Sequence, residues 1–141
     1  MEARISIVTL GVADVAQARS FYERLGFRAA GASTAEVAFL DAGGTVLALF
    51  GRDDLAADAG IAGSPGSGFS GVALAHNVRS EAEVDAVLSE AVAHGGVLCK
   101  AGERAHWGGY RGYFADPDGH LWEICYNPFF SLDKEGRIVL P

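Results

Sequence analysis

The 141-residue chain holds 11 Lys and Arg against 18 Asp and Glu, a formal charge of −7, and half of its residues are hydrophobic. That length and apolar content suit one compact domain with a real core and leave little room for a second independent one. The acidic balance, with no basic stripe, argues against nucleic acid or an anionic membrane surface as a partner.

The opening stretch, MEARISIVTL, has a short apolar run without the pattern of an export signal, and nowhere does an apolar run approach the roughly 20 residues that span a bilayer. A cytoplasmic setting is expected. Ile7 to Leu10 reads as a buried strand that ends at Gly11. Asp14 is a good helix N-cap with Gln17 as its capping-box partner, and Val15, Ala18, Phe21, Tyr22 and Leu25 recur at helical spacing before Gly26 stops the helix. Three short strands follow at about residues 27–30, 36–41 and 45–50, the last two joined by the turn Asp41-Ala42-Gly43-Gly44.

From Gly51 to Ser70 the composition changes. A helical turn or two in GRDDLAADAG and the Gly/Ser/Pro run after it read as a linker, or simply as a long surface loop. The pattern then repeats. Residues 71–76 make a strand, Ser80 with Glu83 a capping box, and Val84, Val87, Leu88, Ala91 and Val92 the stripe of a second helix that ends at Gly95 and Gly96. Strands at 97–100, 110–116 and 120–126 complete it. Both halves read βαβββ, and DAGGTVLAL in the first falls on DPDGHLWEI in the second.

The domain is therefore expected to hold module one (about 1–51), a linker (about 52–69), module two (about 70–128) and a tail (129–141). In the turn Asp116-Pro117-Asp118-Gly119, Pro fixes φ, the Asp side chains cap backbone N–H groups and Gly takes the left-handed conformation. Alternation after it puts Glu123 on one face with Leu121 and Cys125. Cys99 and Cys125 lie in strand-like runs with no second pair, which gives no support to a disulfide framework or a Cys-based zinc site.

The repeat, together with GVADVAQARSFYERLGF and GYFADPDGHLWEICYNP, resembles the vicinal oxygen chelate superfamily of glyoxalases, extradiol dioxygenases and bleomycin-resistance proteins, and among them the glyoxalase-like members. The resemblance implies an α+β fold in which two tandem βαβββ modules form an eight-stranded incomplete barrel around a central groove. It also implies that a metal, where present, is held from the first and last strands of each module, at positions that here are Ile7, Ala48, Gly71 and Glu123. Only Glu123 is a ligand type, and three protein ligands are the usual minimum for a catalytic metal. No cofactor is expected, with a divalent metal as the exception to test.

Glu123 reads either as the working carboxylate of a pocket or as a structural group bonded to a neighbouring Tyr or backbone N–H. His76 ends its strand on the side away from the groove. His106, Trp107 and Tyr110 sit on a loop hinged by Gly108 and Gly109, suited to stacking on a flat ligand or cation, or to plugging the barrel end. Arg111 beside them pairs with an anionic ligand or with carboxylates such as Asp116.

The expected ligand-binding set is thus Ile7, Ala48, Gly71, His106, Trp107, Tyr110, Arg111 and Glu123. Two functions compete. One is binding of a small organic molecule in a groove that lacks the family metal site. The other is a lyase, isomerase or dioxygenase-type enzyme that uses Glu123 as acid/base or as one ligand of an atypical metal site. The apolar tail residues Phe129, Phe130, Ile138, Val139 and Leu140 need cover, and a homodimer is expected.

Overall fold

The computed structural model describes residues 5–59, 70 and 72–140. The chain divides into two compact units, Met1–Ser70 and Gly71–Pro141. The fold is α+β, with one four-stranded sheet in each tandem module.

Module one runs β1 (Ile7–Val12), α1 (Val15–Arg24), β2 (Arg28–Ala29), β3 (Val37–Asp41) and β4 (Val46–Gly51), with α2 (Arg52–Asp58) directly after it. Helix α1 starts where Asp14 accepts a hydrogen bond from the Gln17 backbone N–H at 2.8 Å, the N-cap read from the sequence. Its buried residues Ala18, Phe21 and Tyr22 form the apolar stripe laid on the sheet. The strand order is β1-β4-β3-β2, with β1 parallel to β4 and the other pairs antiparallel. Leu10, Ala38 and Leu49 share one cross-strand row, Leu40 and Leu47 another, and all are buried. That is the face α1 covers.

Module two repeats the plan with β5 (Leu74–Asn77), α3 (Glu81–Ala93), β6 (Val97–Arg104), β7 (Tyr110–Ala115) and β8 (Leu121–Tyr126), in the order β5-β8-β7-β6. Ser80 caps α3 by accepting from the Glu83 N–H at 3.2 Å, and the Glu83 carboxylate reaches back to the Arg79 N–H at 3.0 Å. Strand β5 begins at Leu74, later than expected; Gly71 and most of the expected linker, residues 60–69, lie outside the described residues. Strand β6 runs to Arg104 instead of stopping at Lys100, with register shifts between Leu98 and Lys100 and between Lys100 and Glu103.

The turn between β7 and β8 is built as its residues require. The buried Asp116 accepts from the N–H groups of Asp118 at 2.9 Å and His120 at 2.8 Å, and Gly119 has φ +87°. After β8 the tail forms a small hairpin, β9 (Ser131–Leu132) with β10 (Ile138–Val139), which the sequence did not announce. The Arg79 guanidinium holds it by donating to the carbonyl oxygens of Asp133 at 2.7 Å and Leu132 at 3.4 Å. Phe129, Phe130, Ile138, Val139 and Leu140 all remain exposed.

Candidate functional site

In module two the two faces of the sheet are told apart by what a side chain on each glycine would meet. A Cβ on Gly112 would run into Leu88 of α3, so the Gly112 row faces the helix. Gly112 pairs with Ile124, Phe114 with Trp122 and Tyr110 with Tyr126, which puts those residues on the helix side. Phe114 and Trp122 stack there with ring centroids 6.2 Å apart.

The alternate residues Arg111, Tyr113 and Ala115 pair with Cys125, Glu123 and Leu121, and all six lie on the opposite, helix-free face. The two register shifts in β6 bring Lys100 opposite Tyr113 and Glu103 opposite Arg111, so both long side chains join this face.

A continuous polar network results. The Tyr113 hydroxyl donates to Glu123 Oε1 at 2.8 Å, and Arg111 Nε stands 4.0 Å from the same oxygen. Arg111 Nη1 reaches Glu103 Oε1 at 3.4 Å, and Lys100 Nζ binds that oxygen at 2.6 Å. The guanidinium also lies over the Tyr113 ring, 5.8 Å from its centroid.

The side chains of Arg111 and Glu123 are only 19% and 26% exposed, so this pair is largely withdrawn from water, whereas Lys100 and Glu103 form the wetter rim. Burial, then the bond to Glu123, raises the Tyr113 pKa, which keeps the phenol protonated as the donor. Burial and the Glu123 charge likewise push up the Cys125 thiol, so it is a neutral neighbour rather than a thiolate nucleophile.

Trp107 is half-buried on the loop before β7, where its indole occupies the space that a side chain on Gly109 would need. The loop is held by the Ala105 N–H donating to the Gly109 carbonyl at 2.8 Å and by Phe129 lying against Gly108.

The structure brings together Arg111 and Glu123 of the expected residues, and separates others from them. Tyr110 points to the helix side, where its hydroxyl donates to Asp85 at 3.0 Å, away from Arg111 and Glu123. His106 is exposed on the loop. His76, paired with Ile124, lies on the helix side; desolvation lowers its pKa and the Glu83 charge partly opposes that. Arg111 pairs with Glu103 and Glu123 rather than with Asp116.

Lys100 and Glu103 were missed by sequence reasoning, and Tyr113 is the tyrosine that the structural reading of Glu123 expects without naming it. For Tyr113 the signal was present: counting outward from the turn pairs Ala115 with Leu121 and hence Tyr113 with Glu123.

The metal positions implied by the resemblance supply one donor. Ile7 and Ala48 have none, both lie in module one, and Ala48 is buried between Thr9 and Phe39 in the sheet. Gly71 has no side chain to offer, and among the described residues no group of three His, Cys, Asp or Glu gathers to hold an ion. These residues do not fit a family-type metal centre. No helix among the described residues is long and apolar enough to cross a membrane.

Comparison with known proteins matches residues 4–124 to the family model of the Glyoxalase/Bleomycin resistance protein/Dioxygenase superfamily. Among solved structures, a glyoxalase-related enzyme from Fulvimarina pelagi is 38% identical, with 98% of each chain covered and a TM-score of 0.87. A glyoxalase/bleomycin resistance protein/dioxygenase family enzyme from Burkholderia phytofirmans PsJN is 23% identical over 88% of this chain and 98% of that one, with a TM-score of 0.76. Lactoylglutathione lyase from Agrobacterium tumefaciens is 20% identical over 89% and 94%, with a TM-score of 0.66. The last two likenesses concern the fold alone. A search of curated proteins found no match.

Proposed function

Because the chain belongs to the glyoxalase/bleomycin resistance protein/dioxygenase superfamily, we propose that it binds a small organic molecule on the helix-free face of its second sheet, without the family metal site. The observation that carries this reading is the state of Glu123. Its carboxylate is positioned by the Tyr113 hydroxyl through Oε1, while Oε2 makes no hydrogen bond to the described residues. A carboxylate held by one oxygen and open at the other is ready to accept from a ligand N–H or O–H, at a site already partly dry. The half-buried Trp107 of the loop before β7 supplies a flat apolar surface.

The test is a thermal-shift series on the purified protein with flat donor-bearing molecules and with divalent ions, alongside elemental analysis of metal content. Ligands that bind the native state raise the melting temperature by mass action. Shifts with organic donors that vanish in Glu123→Gln are the expected result. A stoichiometric transition metal, or ligand shifts that survive Glu123→Gln, would overturn the reading.

A second reading has its own support. The Fulvimarina pelagi relative is a glyoxalase-related enzyme, and Arg111 beside Glu123 is suited to stabilise an oxyanion formed when the carboxylate takes a proton. On that reading Glu123→Gln abolishes turnover of a bound ligand while leaving its affinity largely intact.

A further inference from the structure

Arg111 and Glu123 are neighbours of opposite charge, and each keeps one polar atom uncommitted. Glu123 uses Oε1 for both Tyr113 and Arg111; Arg111 uses Nη1 for Glu103 and turns Nε toward Glu123, so Nη2 has no partner among the described residues. An open donor and an open acceptor thus belong to groups 4.0 Å apart. We propose that the ligand of this face is amphoteric: it presents an anionic group to Arg111 and, a bond or two away, a hydrogen-bond donor such as an ammonium to Glu123. This rests on the reading of Glu123 as a ligand acceptor and adds Arg111 as the residue that decides which acceptor-seeking molecules are taken.

Charge balance supports the choice. Lys100 and Arg111 offset Glu103 and Glu123 on this face, so it is neutral before a ligand arrives. A simple cation placed on Glu123 would sit beside the Arg111 guanidinium, and a simple anion placed on Arg111 beside the Glu123 carboxylate. Both central side chains are largely withdrawn from solvent, where such like-charge neighbours are poorly screened. A molecule with both charges meets each of them with its opposite. The pair is also held in advance, Glu123 by Tyr113 and Arg111 by Glu103 and the Tyr113 ring, so little side-chain ordering remains for binding to impose.

Three probes of one shape separate the possibilities in titration calorimetry: phenylalanine carries both groups, phenethylamine only the ammonium, and 3-phenylpropanoate only the carboxylate. Phenylalanine is expected to bind at least about tenfold more tightly than either. In Arg111→Gln it falls to the level of phenethylamine, whose own affinity does not fall.

If phenethylamine equals phenylalanine in the unmodified protein and only Glu123→Gln weakens it, the amphoteric proposal is overturned and Glu123 as ligand acceptor stands. If 3-phenylpropanoate equals phenylalanine and Glu123→Gln changes nothing, both fail. Absence of binding by all three probes at millimolar concentration also overturns the proposal. The comparison of probes on the unmodified chain decides the matter even where a variant does not fold.

Discussion

In module one the side of the sheet away from α1 carries Ile7, Val46, Ala48, Phe39, Val37 and Phe50 with Thr9 and Asp41 as its polar members; in module two the corresponding side carries Lys100, Glu103, Arg111, Tyr113, Glu123 and Cys125 with Ala115 and Leu121. Strand order, parallel closing pair and helix position are the same in both. The covered sides match in character as well, with Leu10, Leu40 and Leu49 in one and Phe114 and Ile124 in the other, all buried. The repeat thus preserves the side that makes the core and leaves the other free to differ. The ion-paired network of module two lies where the helix is not.

The strongest way to break this comparison is to attack the shared side. Phe21 in α1 and Phe114 in β7 are both almost wholly inaccessible. Phe21→Ala and Phe114→Ala are each expected to cost about 3–5 kcal/mol in urea unfolding, from lost transfer energy and the cavity left behind. A loss below about 1 kcal/mol in either would mean that the two covered faces are not equivalent cores.

The matching turns offer a sharper contrast. Asp116 is buried and accepts from two backbone N–H groups, whereas exposed Asp41 accepts from one, that of Gly43 at 3.0 Å. Asp116→Ala should therefore cost about 2 kcal/mol and Asp41→Ala about 0.5 kcal/mol, measured by chemical denaturation. Equal costs would show that burial of the second turn adds nothing.

Much of the shared side was legible in the sequence, because helical spacing, caps and turn residues are local signals. Asp14, Ser80 and Asp116 do in the structure what their spacing predicts. The open face of module two was legible only where strands are regular. Alternation from the turn placed Glu123 with Cys125 correctly, but two bulges in β6 reverse the parity on which such counting depends, so Lys100 and Glu103 could not be assigned a face. The sequence places Tyr110 both at the start of a strand and on the glycine-hinged loop; it begins β7 as expected, but shares the parity of helix-facing Gly112 and Phe114. The tail hairpin rests on Arg79 reaching backbone carbonyls more than fifty residues away, which has no local signature.

On the open faces the expected stability effects are smaller. Tyr113→Phe removes the hydroxyl from Glu123 and should cost about 1 kcal/mol in denaturant unfolding, with weaker binding of any ligand that Glu123 accepts. On the first module's open face Thr9→Val removes a hydroxyl from an exposed strand position and should stay within about 0.5 kcal/mol. A Tyr113→Phe variant as stable as the parent chain would argue that the bond to Glu123 is not formed in solution.

The smallest effect is a pH dependence confined to module two. His76 lies on the helix side of β5, where desolvation lowers its pKa from 6.5 and Glu83, at the start of α3, partly restores it. With the folded value below the unfolded one, the unfolded chain takes up the proton first as pH falls. The His76 contribution is therefore whole above about pH 6.5 and drains away as the pH descends toward the folded value. The melting temperature of His76→Gln should fall less steeply between pH 7 and pH 5 than that of the parent, by an amount limited because the ring stays accessible and Glu83 stabilises its charged form. Identical slopes in the two proteins would show that the imidazole is as well solvated in the fold as out of it; a steeper slope in the variant would mean that Glu83 outweighs desolvation. Module one has no histidine to titrate, so any slope lost on this substitution belongs to the second sheet.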